Sequence, residues 1–465
     1  MTELPEGWAT ARLGDVAEWS SGGTPRAGTP DYYGGDVPWA VIGDLNDGRV
    51  SETASTITPL GLKNSNAKIV DAGTVLVAMY GSIGKLGIAQ IPMATNQAIA
   101  CAAPHEAITR DWLFWWLRSQ RHELLAAGKG GTQSNISQTV LKVWPIPVAP
   151  RAEQERIITS IEEAFSKLDA GEAGLRTVRQ LLKRMREAIL AAAVAGRLVP
   201  QDPTDTPAAK LLADLGVHRV EEADLPNGWE FVELGDLLDD IEAGKSFATQ
   251  GRPTQAGEVG VIKVSAMTWG EFRPAENKAL PPGTAIDERW LIRAGDLLVS
   301  RANTADYVGA CVLVQHDHDD LILSDKSLRL RTAAGVDRRW LLYTLRARPA
   351  REQIERLATG TKESMRNISQ AKLRSLRVSL SPPEEQIRIA DEVERQFSFV
   401  EACERAVDVG LARAAGLRRS LLKAAFEGRL VPQDLSDEPA SVLLDRIRAE
   451  RAARPPAKRR ARQTT

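Results

Sequence analysis

The chain has little of what most enzymes of its size display. Of its 465 residues only three are cysteine and five are histidine. Cys101, Cys311 and Cys403 stand far apart without CxxC spacing, which fits a reducing cytoplasm better than a disulfide framework. No apolar run reaches the roughly 18 residues that a spanning helix needs, and Met1-Thr2-Glu3-Leu4-Pro5 has no signal-peptide character, so a cytoplasmic protein that engages no membrane is expected. Charge of one sign is missing too. Sixty basic residues against 61 acidic ones leave a formal net charge of −1, so a polyanion must be met by local basic surface or with a partner's help.

Catalytic text is equally thin. Gly81-Ser82-Ile83-Gly84-Lys85-Leu86-Gly87 has the wrong spacing for a Walker A loop, and Lys85 is followed by Leu86 rather than Ser or Thr, so it reads as a tight turn between strands. Pro30-Asp31 has its nearest Glu-x-Lys, Glu276-Asn277-Lys278, in the other half of the chain. His316-Asp317-His318-Asp319-Asp320 has no matching cluster in the first half and reads as a solvated loop, with a surface ion as the minor alternative. No Ser/His/Asp set can be assembled from five histidines. The sequence therefore assigns no catalytic residue and no metal ligand.

What the chain does have is the same text twice. Leu4-Pro5-Glu6-Gly7-Trp8 returns as Leu225-Pro226-Asn227-Gly228-Trp229, Leu13-Gly14-Asp15 as Leu234-Gly235-Asp236, and Gly196-Arg197-Leu198-Val199-Pro200-Gln201-Asp202 as Gly428-Arg429-Leu430-Val431-Pro432-Gln433-Asp434. The period is far longer than any solenoid repeat, so each copy holds a domain of its own. With 43% hydrophobic and 26% charged residues the chain can bury real cores. The ends of each copy match almost letter for letter, whereas the stretches after Leu13 and after Leu234 match poorly.

The first copy opens with short apolar runs punctuated by glycine, such as Thr74-Val75-Leu76-Val77-Ala78-Met79, and carries a helix around Trp112-Leu113-Phe114-Trp115-Trp116-Leu117, a mixed α/β pattern. Beyond Pro145, Pro147 and Pro150 the texture changes. Ile157, Ile161, Ala164, Leu168, Gly171, Leu175, Val178, Leu182, Met185, Ile189 and Ala192 alternate by fours and threes, a heptad seam. Ile389, Val393, Gln396, Val400, Cys403, Val407, Gly410, Ala414, Leu417, Leu421 and Ala424 repeat it after Pro382 and Pro383. Two equivalent helices can bury each other's seams, Ile161, Leu168, Leu175 and Leu182 against Val393, Val400, Val407 and Leu417. The alternative is that each packs on its own domain. Gly171 and Gly410 mark a bend or a close approach. The expected architecture is α+β: two tandem mixed α/β domains, residues 1–150 and 225–382, each followed by a long helix (151–224 with its connector; 383–445), the two helices pairing antiparallel about a pseudo-two-fold axis. A basic tail, 446–465, is expected to be disordered.

Several polar pieces recur. Gly131-Thr132-Gln133-Ser134-Asn135-Ile136-Ser137-Gln138 reappears in the second copy as Gly360-Thr361-Lys362 through Asn367-Ile368-Ser369-Gln370. Short hydroxyl and amide side chains beside glycine suit close approach to a phosphate; they equally suit a helix N-cap, and both readings stay open.

The order of Leu-Pro-x-Gly-Trp, a variable domain, Asn-Ile-Ser-Gln, Pro with Glu153-Gln154-Glu155-Arg156-Ile157 or Glu385-Gln386-Ile387-Arg388-Ile389, a long helix and Gly-Arg-Leu-Val-Pro-Gln-Asp, all twice, closely resembles the DNA-specificity subunit of type I restriction-modification systems. The resemblance spans almost the whole chain. It implies two target-recognition domains, each reading half of a split double-stranded DNA sequence. It also implies no catalysis and no cofactor in this chain, which would assemble with two methyltransferase subunits that bind S-adenosylmethionine, and optionally with restriction subunits that use ATP and Mg. The Pro-Pro pairs at 281–282, 382–383 and 455–456 lack the aromatic residue that an adenine methyltransferase needs to hold a flipped base.

Under that reading the candidate DNA contacts are Gly23, Thr24, Tyr80, Ser82, Lys85, Lys129, Thr132 and Gln133 in the first copy. In the second they are Lys245, Ser246, Arg301, Asn303, Lys326, Lys362 and Arg366. Arg301 and Asn303 are the expected base readers, since Arg suits guanine and Asn suits adenine in the major groove; a salt-bridged Arg301 is the structural alternative. The competing functions are an enzyme with an unrecognised site and a scaffold that binds proteins but not bases.

Overall fold

A computed structural model describes residues 4–128, 135–217, 224–362 and 365–453. They divide into two compact units, Met1–Leu175 together with Val409–Thr465, and Arg176–Asp408. These boundaries cut across the two long helices, Arg151–Val194 and Pro383–Phe426. Each unit therefore holds one mixed domain, the start of the helix that follows it, and the end of the other copy's helix with its connector.

In the first unit a five-stranded sheet runs in the order Ala17–Ser21, Ile99–Pro104, Val75–Ala78, Leu86–Ala89, Gly48–Val50. Val75–Ala78 is buried along its whole length because both faces are covered. A second, four-stranded sheet is built round Tyr33–Ala40 and Met93–Thr95, which pair in parallel. The second unit repeats the plan: Leu238–Ala243, Ser327–Thr332, Leu297–Ser300 and Cys311–Leu313 in one sheet, with a second sheet in which Gly260–Ile262 pairs in parallel with His318–Ile322. The helices Arg110–Ser119 and Arg338–Arg346 start where Thr109 and Asp337 accept from backbone N–H groups of the first turn.

The repeated text meets in space. In the first unit the Trp8 indole N–H donates to Glu153 Oε2 at 3.0 Å, while Gln154 bonds the Thr109 N–H and the carbonyls of Ala107 and Ala149. Arg156 reaches Asp437 at 2.7 Å, and the Ala440 N–H donates to the Gly7 carbonyl. In the second unit Trp229 donates to Glu385 at 2.8 Å, Gln386 holds the Asp337 N–H and the Ser381 carbonyl, Arg388 pairs with Asp205, and the Ala208 N–H donates to Gly228. Gly196 and Gly428 end the long helices at φ +62° and +66°; a Cβ there would come within 2.6 and 2.3 Å of Pro226 and Pro5. The matching ends of each copy are thus one joint, made in each unit from the domain's opening segment, its own helix and the other helix's connector.

The helices run antiparallel inside each unit, but the seam is offset from the heptads of the sequence. Ile157, Ile161, Leu182, Ile189, Val393, Val400, Val407 and Ala414 are buried as expected, and Leu168 and Leu175 are half-buried. Phe165 and Ala193 are buried in place of Ala164 and Ala192, whereas Val178 and Met185 are 41% and 37% exposed. Leu417, expected in the seam, is 48% exposed, and Arg418 takes its place and pairs with Asp169 and Glu172. Arg186 repeats this with Glu401 and Glu404. Charged residues in alternate rows of the seam are invisible to a count of apolar positions, so that count steps onto the neighbouring residue. Gly410 is a close approach, since a Cβ would lie 2.9 Å from Leu175 Cδ1; at Gly171 nothing among the described residues comes within 4 Å of the Cβ position.

Candidate nucleic-acid interface

At one edge of the first unit, residues 79–86 turn back between two strands. Gly81 and Gly84, at φ +63° and +74°, permit this, and Arg121 holds the turn by donating to the Gly84 carbonyl and to Asp47. The segment is a turn between strands, as its spacing predicts. Tyr80, 44% exposed, bridges to Asn135, and Ser82 is exposed at the tip. Lys85 is half-buried and donates to the Ile42 carbonyl at 3.3 Å, which ties it to the scaffold. Gly23 is buried: a Cβ would come within 2.5 Å of the Asn66–Ala67 backbone, so its role is close chain packing rather than contact with DNA. Thr24 is exposed and donates to the Gln97 side chain. Gln97, exposed and set beside Thr24 only by the fold, was not legible from sequence. Lys129, Thr132 and Gln133 lie outside the described residues.

In the second unit Lys245, Ser246 and Lys326 line one cleft, brought together by the bridge of Lys245 to Ser324. The Arg301 N–H bonds the Lys326 carbonyl, and the Arg301 carbonyl accepts from Ile368. Its guanidinium is half-exposed and has no ion-pair partner among the described residues, so the salt-bridged alternative does not hold. Asn303 is engaged locally: Oδ1 accepts from the Thr304 N–H at 2.9 Å and Nδ2 reaches Ser300 Oγ at 3.4 Å. These contacts brace the turn and hold one acceptor site and one N–H of the amide to neighbouring residues. Arg366 donates to the carbonyls of Ala358 and Glu355, at the end of the helix Arg348–Leu357, and so braces that helix. Lys362 ends the strand Thr359–Lys362; its side chain lies outside the described residues.

The Asn-Ile-Ser-Gln segments are scaffold. Ile136 and Ile368 are buried, and Ser137 and Ser369, rather than the asparagines, cap the helices Gln138–Val143 and Gln370–Arg374. In the second unit Arg329, 1% exposed, pairs with Asp296 and Glu242. Burial raises the Asp296 carboxyl above its ordinary value against the pull of Arg329 and Arg331. Glu242 is also raised by burial, but hydrogen bonds from Arg331 and Arg329 outweigh this and hold it low. Cys101 occupies the first unit's equivalent of Arg329: it pairs with Leu76 as Arg329 pairs with Leu298. The histidine-aspartate run is only partly the loop expected: His316 and Asp317 lie in it, with Asp317 accepting from the Ala294 N–H, whereas His318, Asp319 and Asp320 open the strand His318–Ile322 and Asp319 pairs with Arg293. Among the described residues no group of three or more His, Cys, Asp and Glu side chains could hold a metal, and no helix is long and apolar enough to cross a membrane.

A family model described as the type I restriction modification DNA specificity domain matches residues 5–175. The chain is 25% identical over 470 residues to the type I restriction enzyme EcoKI specificity subunit of Escherichia coli (strain K12), covering 97% of both. It is 26% identical over 469 residues to the StySPI specificity subunit of Salmonella potsdam, covering 97% of this chain and 96% of the relative. A chain solved in work on assembly and conformational transition of the type I R-M system shares the fold at a TM-score of 0.67 and 21% identity, over 92% of this chain and 100% of that one. The HsdS subunit from Thermoanaerobacter tengcongensis does so at 0.53 and 20%, over 92% and 98%.

Proposed function

The chain belongs to the DNA-specificity subunits of type I restriction-modification systems, and from that premise we propose that each unit reads one half of a bipartite duplex target. The observation that carries this reading is the contrast within each unit. Repeated residues such as Trp8, Glu153 and Asp437 close one joint, while the edge of the sheets presents Thr24, Gln97, Tyr80 and Ser82 in one unit and Lys245, Ser246, Arg301 and Lys326 in the other. A constant frame with different exposed groups is what two different half-sites require, because sequence is read by side chains on base edges and the frame only sets their position.

The chain supplies recognition and no catalysis in this proposal. Two methyltransferase subunits carrying S-adenosylmethionine would dock on it in the cytoplasm, and restriction subunits using ATP and Mg would be optional additions. Near-zero net charge supports the need for partners, since phosphate contacts supply much of the affinity for DNA. The test replaces residues 13–148 with the corresponding segment of a relative and maps methylated adenines in cells carrying the assembled complex. One half of the target should change while the other stays. A simultaneous change in both halves, or methylation and cutting by the isolated chain with added cofactors, would overturn the reading.

A further inference from the structure

The two reading surfaces differ in charge as well as in shape. In the second unit Lys245, Lys263, Lys278 and Lys326 surround one cleft with a volume of about 450 Å³. Lys245, Lys278 and Lys326 are exposed, and none has an ion-pair partner among the described residues. Lys263 pairs with Glu276 at 2.6 Å, and Asp325 is the one carboxylate among the described lining residues. Positive charge therefore remains in excess, on a concave wall where field lines concentrate.

The first unit builds the same wall without that charge. Gly22 and Gly244 occupy matching places, each so close to a neighbouring strand end that a Cβ would meet a carbonyl oxygen, of Thr95 at 1.8 Å or of Leu323 at 2.2 Å. The next residue is Gly23 in one unit and Lys245 in the other. Val41 and Lys263 each precede a short 3-10 turn after the parallel strand pair. Ala98 and Lys326 each accept at the carbonyl from the turn that leaves the central strand, from the N–H of Met79 and of Arg301. At all three places a lysine of the second unit stands opposite an uncharged residue of the first.

We propose that this lysine cleft is the phosphate-backbone anchor of the molecule, so that the second unit contributes more of the electrostatic affinity for DNA than the first. The inference rests on the DNA-recognition reading and adds the ligand chemistry of the cleft. Ammonium groups act on phosphate oxygens as point charges and lack the planar fork that reads guanine, which leaves base reading to Arg301, whose N–H donates to the Lys326 carbonyl.

The experiment uses the full chain assembled with its methyltransferase subunits and measures binding to a duplex with the mapped target and to one without it, across a range of salt. The variant carries Lys245→Gln, Lys278→Gln and Lys326→Gln together, with Lys210→Gln as an exposed control in the same unit. Each phosphate contact contributes about 0.9 to the slope of log affinity against log salt, so the triple variant should lower that slope by about 2 to 3 and weaken both duplexes to the same degree. The control should leave it unchanged. A triple variant with wild-type slope and intact preference for the target overturns the anchor, as does a variant that loses preference at unchanged slope. A wild-type complex with no preference for its own methylated sequence fails the recognition reading itself.

Discussion

The Arg418 guanidinium lies 5.5 Å from the centre of the Phe165 ring, and Arg186 lies 5.0 Å from Phe397 in the second unit. In each unit the ring also meets an aromatic of the recognition domain edge-on, Trp115 at 4.6 Å and Tyr343 at 5.8 Å. The arginine then closes onto two carboxylates of the other helix, Asp169 and Glu172, or Glu401 and Glu404. Three elements are pinned at one point: the domain helix, the long helix beside it and the helix returning from the other copy.

Removing the ring should loosen all three. Phe165→Ala should cost about 3–5 kcal/mol in chemical denaturation of the full chain, the usual range for a buried aromatic, and Phe397→Ala, at a half-buried ring, should cost less. Arg418→Met takes away the guanidinium that Glu172 and Asp169 pair with and should cost about 1–3 kcal/mol. Losses below about 1 kcal/mol for both Phe165→Ala and Arg418→Met would show that the node does not hold the domain to the helices.

The buried carboxyls of the joint give a pH signature. Burial pushes Glu153 and Glu385 above the ordinary glutamate value of 4.5, against the indole N–H bonds of Trp8 and Trp229, and Oε1 of each has no hydrogen-bond partner among the described residues. A carboxyl whose folded pKa is raised contributes most when protonated, and that contribution is lost as pH rises from the unfolded value through the folded one. Glu153→Gln keeps an acceptor for the indole and cannot ionise. Relative to this variant, wild-type chain should lose melting temperature as pH rises from about 4.5 towards neutrality. A wild type that gains on the variant over that interval would contradict the assignment.

The doubled frame, the two mixed domains and the two long helices could be read from the sequence because repetition and apolar spacing are local signals. The seam could not be placed to the residue. Ala164 and Phe165 are adjacent and apolar, and the rows occupied by Glu172, Arg186 and Arg418 are filled by ion pairs that a hydrophobic count passes over. The reading surface was less legible still. Thr24 and Gln97 meet only because the fold brings together residues 73 positions apart. Asn303 and Arg366 carry attractive side chains that the structure commits to their own backbone. Polar residue types announce the capacity to read bases, but only packing decides which of them remain available.

Arg301 and Asn303 should therefore separate in their effects. In the assembled complex Arg301→Ala should relax preference at one position of one half-site, by about 1–3 kcal/mol of discrimination. Asn303→Ala should change specificity little and act through the turn that its Oδ1 supports. Selection of methylated sites from a randomised library reads both. Unchanged discrimination at every position in Arg301→Ala would remove this residue from the readers.

The long helices offer the last test, since reading two separated half-sites with one chain calls for an element of fixed length, and the helices that follow the two domains are the candidates for it. Each is continuous over 44 residues, Arg151–Val194 and Pro383–Phe426. From Ile157 to Ala192 a helix advances about 52 Å at about 1.5 Å per residue. One added heptad in each, matched so that seam rows and charged rows keep their partners, lengthens each helix by about 10 Å, roughly three base pairs. Three base pairs also turn the second half-site about 100 degrees round the duplex, so the variant should prefer a longer spacer or lose binding. A folded, assembled variant that still methylates sites of the original spacer at the original rate would show that helix length does not set the distance.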